Sequence, residues 1–303
     1  MVSLKTSVAG IELENPLILA SGILGQTAST ISNMFKAGFG GVVTKSIGKD
    51  PRSGHPNPTM LELDTGLLNA MGLPNQGIDS FENELKELFS IVSGKPIIGS
   101  IFASNSSEFV DLAERMEDIG VHALELNLSC PHAKGYGAAI GHDTETAGTS
   151  VLEVKNAVDM PVFAKLPPAD NISEIAQAVE GAGADAIVAI NTLKAMAINL
   201  ETRKPFLGNK VGGYSGPAIK PVGLRCVYES YQTVDIPVIG CGGITTGRDA
   251  LEYVLAGATA LEIGSSIYYR GKDAPRKIVE EMKSIMEQQE IDKLSDIIGA
   301  VHD

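Results

Sequence analysis

The stretch Pro161-Val162-Phe163-Ala164-Lys165-Leu166, followed by Ile172–Gly183 and then Ala186–Thr192, decides the fold. The first and third segments are apolar almost throughout, without the in-and-out alternation of a strand that has one wet face. Strands of that kind belong to a parallel sheet covered on both sides. In the segment between them Ile175, Val179 and Ala182 recur at helical spacing, and Gly181 and Gly183 punctuate its end.

The same alternation extends in both directions. Apolar runs at Leu17–Gly22, Gly41–Ile47, Pro96–Phe102, Ala123–Ser129, Pro237–Gly243 and Ala260–Ser266 complete a set of eight. Helix-like segments separate them at Ser29–Ala37, Ser80–Ser93, Ser107–Ile119, Thr146–Ala157, Ile219–Thr233 and Arg248–Ala256, and Ala274–Gln289 closes the chain. Eight strands alternating with eight helices predict a closed (β/α)8 TIM barrel, with an open doubly wound sheet as the alternative. Leu4–Leu13, centred on Ala9-Gly10, reads as an N-terminal β-hairpin capping the barrel floor. No repeat or linker divides residues 1–303, which are expected to form a single domain. The connections Gly48–Asn75 and Leu193–Gly216 are longer than the rest and follow strand C-termini, so they are expected to act as lids or substrate walls.

Composition narrows the function. The 303-residue chain has a net charge of -13, which opposes binding to phosphate backbones or an anionic membrane surface. No apolar run approaches the roughly 18 to 20 residues of a membrane span, and the first residues lack a signal-peptide core. A cytoplasmic location is expected, with neither nucleic acid nor membrane as partner. Three cysteines, Cys130, Cys226 and Cys241, are too few for a disulfide framework or for an all-cysteine iron–sulfur cluster. His55, His122, His142 and His302 show no metal-ligand spacing, and no metal is assigned.

Polar residues gather at the strand ends: Ser21, Lys45-Ser46, Asn127, Lys165 and Asn191-Thr192. An apolar barrel mouth penalises an unpaired ammonium. Lys45 and Lys165 therefore either fan out to solvent or face a ligand, and two nearby asparagines favour the ligand. The last two runs end in Gly242-Gly243 and Gly264-Ser265, each feeding a helix. They are either tight turns or the usual barrel phosphate site, in which backbone N–H groups bind the anion without a basic side chain. A flat, polar, phosphate-bearing ligand would use both sets of residues, and flavin mononucleotide (FMN) has that shape. Cys226 and Cys241 read as small core residues. Cys130 sits in the polar, glycine-rich stretch Ser129-Cys130-Pro131-His132-Ala133-Lys134-Gly135, where a thiol can act as base or nucleophile.

Taken in order, these segments resemble class 1B dihydroorotate dehydrogenases over essentially the full length. They are Leu19-Ala20-Ser21-Gly22, Thr44-Lys45-Ser46, Asn69-Ala70-Met71-Gly72-Leu73-Pro74-Asn75, Asn127-Leu128-Ser129-Cys130-Pro131, Lys165, Ile190-Asn191-Thr192, Gly213-Tyr214-Ser215-Gly216-Pro217-Ala218-Ile219-Lys220-Pro221 and Gly242-Gly243-Ile244. The resemblance implies oxidation of dihydroorotate to orotate, with Cys130 taking the C5 proton while hydride passes from C6 to FMN N5. It implies that Lys45, Asn69, Ala70, Met71, Gly72, Leu73, Asn127, Asn191 and Thr192 hold the substrate. The flavin would be held by Ser21, Lys45, Ser46, Ser100, Asn127, Lys165, Ile190, Gly216, Gly242, Gly243, Gly264 and Ser265. It also implies a partner subunit with FAD and a 2Fe–2S cluster that passes electrons to NAD, in a heterotetramer of two plus two.

Two positions depart from the family pattern: Ser100 stands at a flavin contact that is usually asparagine, and His132 follows Cys130-Pro131 where asparagine is common. His132 also allows a dihydropyrimidine dehydrogenase-like reduction of uracil or thymine. A non-catalytic flavin-binding subunit is the alternative from outside the enzymes.

Overall fold

The computed structural model of the chain describes residues 2–128 and 140–302. It begins with the hairpin β1 (Thr6–Val8) and β2 (Ile11–Leu13), then runs β3 (Leu17–Leu19), α1 (Ala28–Ala37) and β4 (Gly41–Val43). The antiparallel strands β5 (Met60–Leu63) and β6 (Gly66–Asn69) precede α2 (Ile78–Ile91), β7 (Ile97–Ile101), α3 (Ser106–Ile119) and β8 (Ala123–Asn127). The next elements are α4 (Thr144–Ala157), β9 (Val162–Leu166), α5 (Ile172–Gly181) and β10 (Ala186–Ala189). Four short strands follow: β11 (Leu193–Ala195), β12 (Ile198–Asn199), β13 (Lys204–Pro205) and β14 (Gly212–Ser215). The chain ends with α6 (Lys220–Tyr231), β15 (Val238–Cys241), α7 (Gly247–Leu255), β16 (Ala258–Ile263), the short α8 (Ser266–Arg270) and α9 (Ala274–Gln288).

Strands β3, β4, β7, β8, β9, β10, β15 and β16 close into a parallel barrel in that order, so the expected TIM barrel is present. The reason is visible in α5, where Ile172, Ile175, Ala176 and Val179 form one buried stripe against the outward faces of β9 and its neighbours. Burying each of the larger aliphatic side chains is worth about 1.5–3 kcal/mol, and a charged side chain at the buried Ile175 would forfeit it. Most strands end before their apolar runs do, because the residues at the C-terminal end turn out of the ladder toward the barrel mouth.

Inward-facing side chains divide by height. The lower layer is apolar: Ile18, Val43, Ile98, Ala123, Phe163, Val188, Ile239 and Ala260 pack against Val8 and Leu13 of the hairpin, which seals the floor as expected. Two residues further along the strands the interior becomes polar, with Ser100, Glu125, Lys165 and Glu262 all buried.

The two long connections are more than lids. Their strands form a four-stranded antiparallel sheet in the order β11-β14-β6-β5, with Gly213 opposite Asn69 and Tyr214 opposite Leu68. Leu68, Ala70 and Leu207 make its small core. This sheet rigidly carries Asn69 and Ser215 to the barrel mouth.

Candidate active site

A cavity of about 370 Å³ opens at the C-terminal ends of the barrel strands. Its wall includes Ser21, Lys45, Ser46, Asn69, Met71, Gly72, Leu73, Asn127, Lys165, Ile190, Asn191, Thr192, Gly242, Gly243, Gly264 and Ser265, so the structure brings these sequence-predicted residues together. Ala70, Ser100 and Gly216 stand behind the wall. Ala70 is in the core of the small sheet. Ser100 is fully buried beneath the site. Gly216, at φ +106°, is a backbone joint whose neighbour Ser215 reaches the cavity. Cys130 and His132 lie outside the described residues.

The floor is charged. The Lys165 ammonium from β9 reaches across the barrel to the Glu262 carboxyl of β16, and it lies 3.3 Å from Glu125 of the adjacent β8. Burial works against the ammonium, but the two carboxyls prevail and hold Lys165 well above its ordinary value. Burial and the adjacent Glu125 charge push Glu262 well above the carboxylate range. Burial would raise Glu125 too, yet Lys165 and hydrogen bonds from Glu262, Ser21 and Ser100 hold it below its ordinary value. The shared Lys165 ammonium and mutual repulsion thus push the two carboxyls in opposite directions, Glu125 down and Glu262 up. Nearby Cys241 is pushed up to about 12, chiefly by burial, and stays a neutral thiol.

From Glu125 a hydrogen-bonded chain climbs to the mouth. The Ser100 hydroxyl donates to Glu125 at 3.1 Å and is itself 2.9 Å from the Ser46 hydroxyl. Asn127 Nδ2 donates to Ser46 Oγ at 3.2 Å, and Asn191 Nδ2 donates to Asn127 Oδ1 at 3.4 Å. Because Glu125 only accepts, every donor in this chain points toward it, which fixes how the two asparagine amides face. The short reach of serine suits Ser100 to this buried link.

The far side of the mouth is backbone. Gly242 and Gly243 have φ of +128° and +71°, a region that strains other residues. A Cβ on Gly243 would also fall 2.7 Å from the Lys220 nitrogen. Gly264 differs: the nearest atoms to a Cβ there are 3.6 Å away, so neither packing nor φ requires glycine. Its bare face opens the cavity to close approach by a ligand. The adjacent Ser266 Oγ is buried with no hydrogen-bond partner. A bare backbone turn, one unpartnered hydroxyl at Ser266 close to it, an apolar slot lined by Ile23, Leu67, Ile190 and Ile244, and a buried cation fit a flavin nucleotide.

A family model described as dihydroorotate dehydrogenase matches residues 3–286. The chain belongs to the dihydroorotate dehydrogenase family. The chain is 48% identical to a protein of Methanocaldococcus jannaschii, over 99% of this chain and 98% of the relative. It is 50% identical to one of Pyrococcus furiosus, over 98% of each, and 48% identical to one of Thermoplasma acidophilum, over 99% of each. All three relatives are named dihydroorotate dehydrogenase B (NAD(+)), catalytic subunit. In fold the chain is similar to the dihydroorotate dehydrogenase of Eimeria tenella crystallised with ferulenol, with a TM-score of 0.87 at 24% identity, over 99% of this chain and 88% of that one.

Sequence reasoning missed Glu125, Glu262 and Ser266. The first two did carry a signal: an acidic residue inside an apolar barrel strand is costly unless paired, and Lys165 has the complementary charge. Ser266 carried none, since its isolation depends on how the turn packs.

Proposed function

We propose that this cavity holds FMN and dihydroorotate together, in the catalytic subunit of a B-type enzyme that oxidises dihydroorotate to orotate for pyrimidine biosynthesis. Family membership supplies the reaction. The observation that carries the site assignment is the buried Lys165 ammonium, fixed by two carboxyls under a cavity with bare glycine turns on one side and oriented amides on the other. Bound there, FMN would supply the acceptor for the substrate's hydride and a carrier for the electrons on their way out.

The chain's own residues do the rest. Lys165 places a fixed positive charge at the floor, where negative charge builds up during reduction, and preorganised charge of this kind is usually the largest catalytic contribution. Lys45 offers a cation to the orotate carboxylate. Asn69, Asn127 and Asn191 present amide donors and acceptors that match the edges of a planar pyrimidine. Amides of the Gly242-Gly243 and Gly264-Ser265 turns would take the phosphate. Cys130 is assigned to hold the C5 proton after removing it from the substrate.

Three cysteines do not suffice for a cluster, so electron transfer to NAD is assigned to a second subunit carrying FAD and 2Fe–2S, in a complex of two plus two. The three relatives' names favour this over a uracil- or thymine-reducing enzyme. Among the described residues no helix is long and apolar enough to cross a membrane.

The test is spectroscopic: the purified protein is yellow, and anaerobic dihydroorotate bleaches it while dihydrouracil does not. A colourless protein that fails to take up added FMN ends the assignment, and bleaching by dihydrouracil alone transfers it to the pyrimidine-reducing class.

A further inference from the structure

Tyr253, on α7, is fully buried and touches the cavity nowhere. Its hydroxyl nevertheless donates to the Gly242 carbonyl at 2.6 Å, with the Lys220 carbonyl 3.4 Å away. Two glycines make its slot. A Cβ on Gly223 of α6 would overlap the hydroxyl, and one on Gly240 of β15 would fall 2.5 Å from the ring. Phenylalanine would fill the ring's part of the slot equally well, so the space kept beside Gly223 serves the hydroxyl. Burial raises this phenol far above its ordinary value, and it remains a protonated donor. Lys220 bonds Asp249 at 2.8 Å and Glu252 at 2.7 Å, which ties α7 to α6 around the tyrosine.

The consequence lies on the other side of one peptide bond. In a trans peptide the carbonyl and the following N–H point in opposite directions. Tyr253 draws the Gly242 carbonyl back among α6, β15 and α7, so the Gly243 N–H is turned toward the cavity that both glycines line. That N–H has no acceptor among the described residues. Two consecutive glycines leave this peptide plane free to rotate unless something pins it.

We propose that Tyr253 is a positioning residue whose hydroxyl locks the Gly242–Gly243 peptide with its N–H aimed at the flavin phosphate. This rests on the FMN assignment above. The distinguishing property is selectivity: the lock matters for FMN and is irrelevant to riboflavin, which has the same ring system without the phosphate.

The experiment titrates apoprotein, wild type and Tyr253→Phe, with FMN and with riboflavin, following flavin fluorescence. The FMN Kd rises about tenfold in the variant, as expected for a misdirected hydrogen bond to a charged group, while the riboflavin Kd stays within about twofold. Equal weakening of both flavins, or no change in either, overturns the proposal. If the variant does not fold, the amide proton of Gly243 in wild-type protein is followed by NMR. It moves strongly downfield with FMN and stays in place with riboflavin, and identical behaviour with the two overturns the proposal. Wild-type protein that binds neither flavin would instead refute the FMN assignment, and the proposal with it.

Discussion

Replacing Lys165 with methionine tests the charged floor directly. Lys165→Met keeps most of the stem's volume and removes the ammonium that holds Glu125 ionised. A buried carboxylate without a cation neutralises rather than remain charged. Taking up a proton at about pH 7, from an ordinary value of 4.5, costs about 3.4 kcal/mol at about 1.36 kcal/mol per pH unit. At about pH 5.5 the same step costs only about 1.4 kcal/mol.

In the variant the folded state keeps a proton on Glu125 that the unfolded chain releases above 4.5, so its stability falls as pH rises. In the wild type Glu125 is held low, and its stabilising contribution is present above 4.5 and lost on acidification. The gap between the two proteins is therefore widest near neutrality and closes from both sides as pH falls. For a chain of this size about 1 kcal/mol corresponds to roughly 2 °C in Tm. Thermal unfolding followed by circular dichroism should show Lys165→Met about 7 °C below wild type at about pH 7 and about 3 °C below at about pH 5.5. A gap that is the same at both pH values, or absent at pH 7, refutes the buried-triad reasoning. In the holoenzyme the same substitution slows flavin reduction by dihydroorotate about 10²-fold.

Two further outcomes are expected. Cys130→Ser reduces the rate of flavin reduction steeply near neutral pH with partial recovery at high pH, because a hydroxyl is a far weaker base than a thiol; a stopped-flow pH profile equal to wild type removes Cys130 from its role. Gly264→Ala leaves the apoprotein's Tm unchanged, since the added Cβ meets nothing closer than 3.6 Å, but weakens FMN binding by about tenfold, a loss of about 1.4 kcal/mol; equal FMN affinity would show that the bare face is not a ligand surface.

The sequence by itself determined the barrel and most of the cavity wall. Eight apolar runs alternating with helical stripes have few ways to bury both faces of a parallel sheet, and Lys45, Asn127, Lys165 and Asn191 stood at strand ends because barrel chemistry occurs there. Even the floor plug was legible, in the short hairpin around Ala9-Gly10. What depended on pairing across long separations was not. The sheet that joins β6 to β14 pairs Asn69 with Gly213, more than a hundred residues apart, and nothing local to either segment specifies that register. Ser100 looked like a flavin contact and instead lies below the wall, linking Glu125 to Ser46, because inward-facing side chains on neighbouring strands meet by height in the barrel. Only the closed barrel brings Glu262 of β16 across to Lys165 of β9 and sets the buried charge cluster beneath the site. Residue type announces that a charge must be compensated, and three-dimensional packing alone decides which residue compensates it.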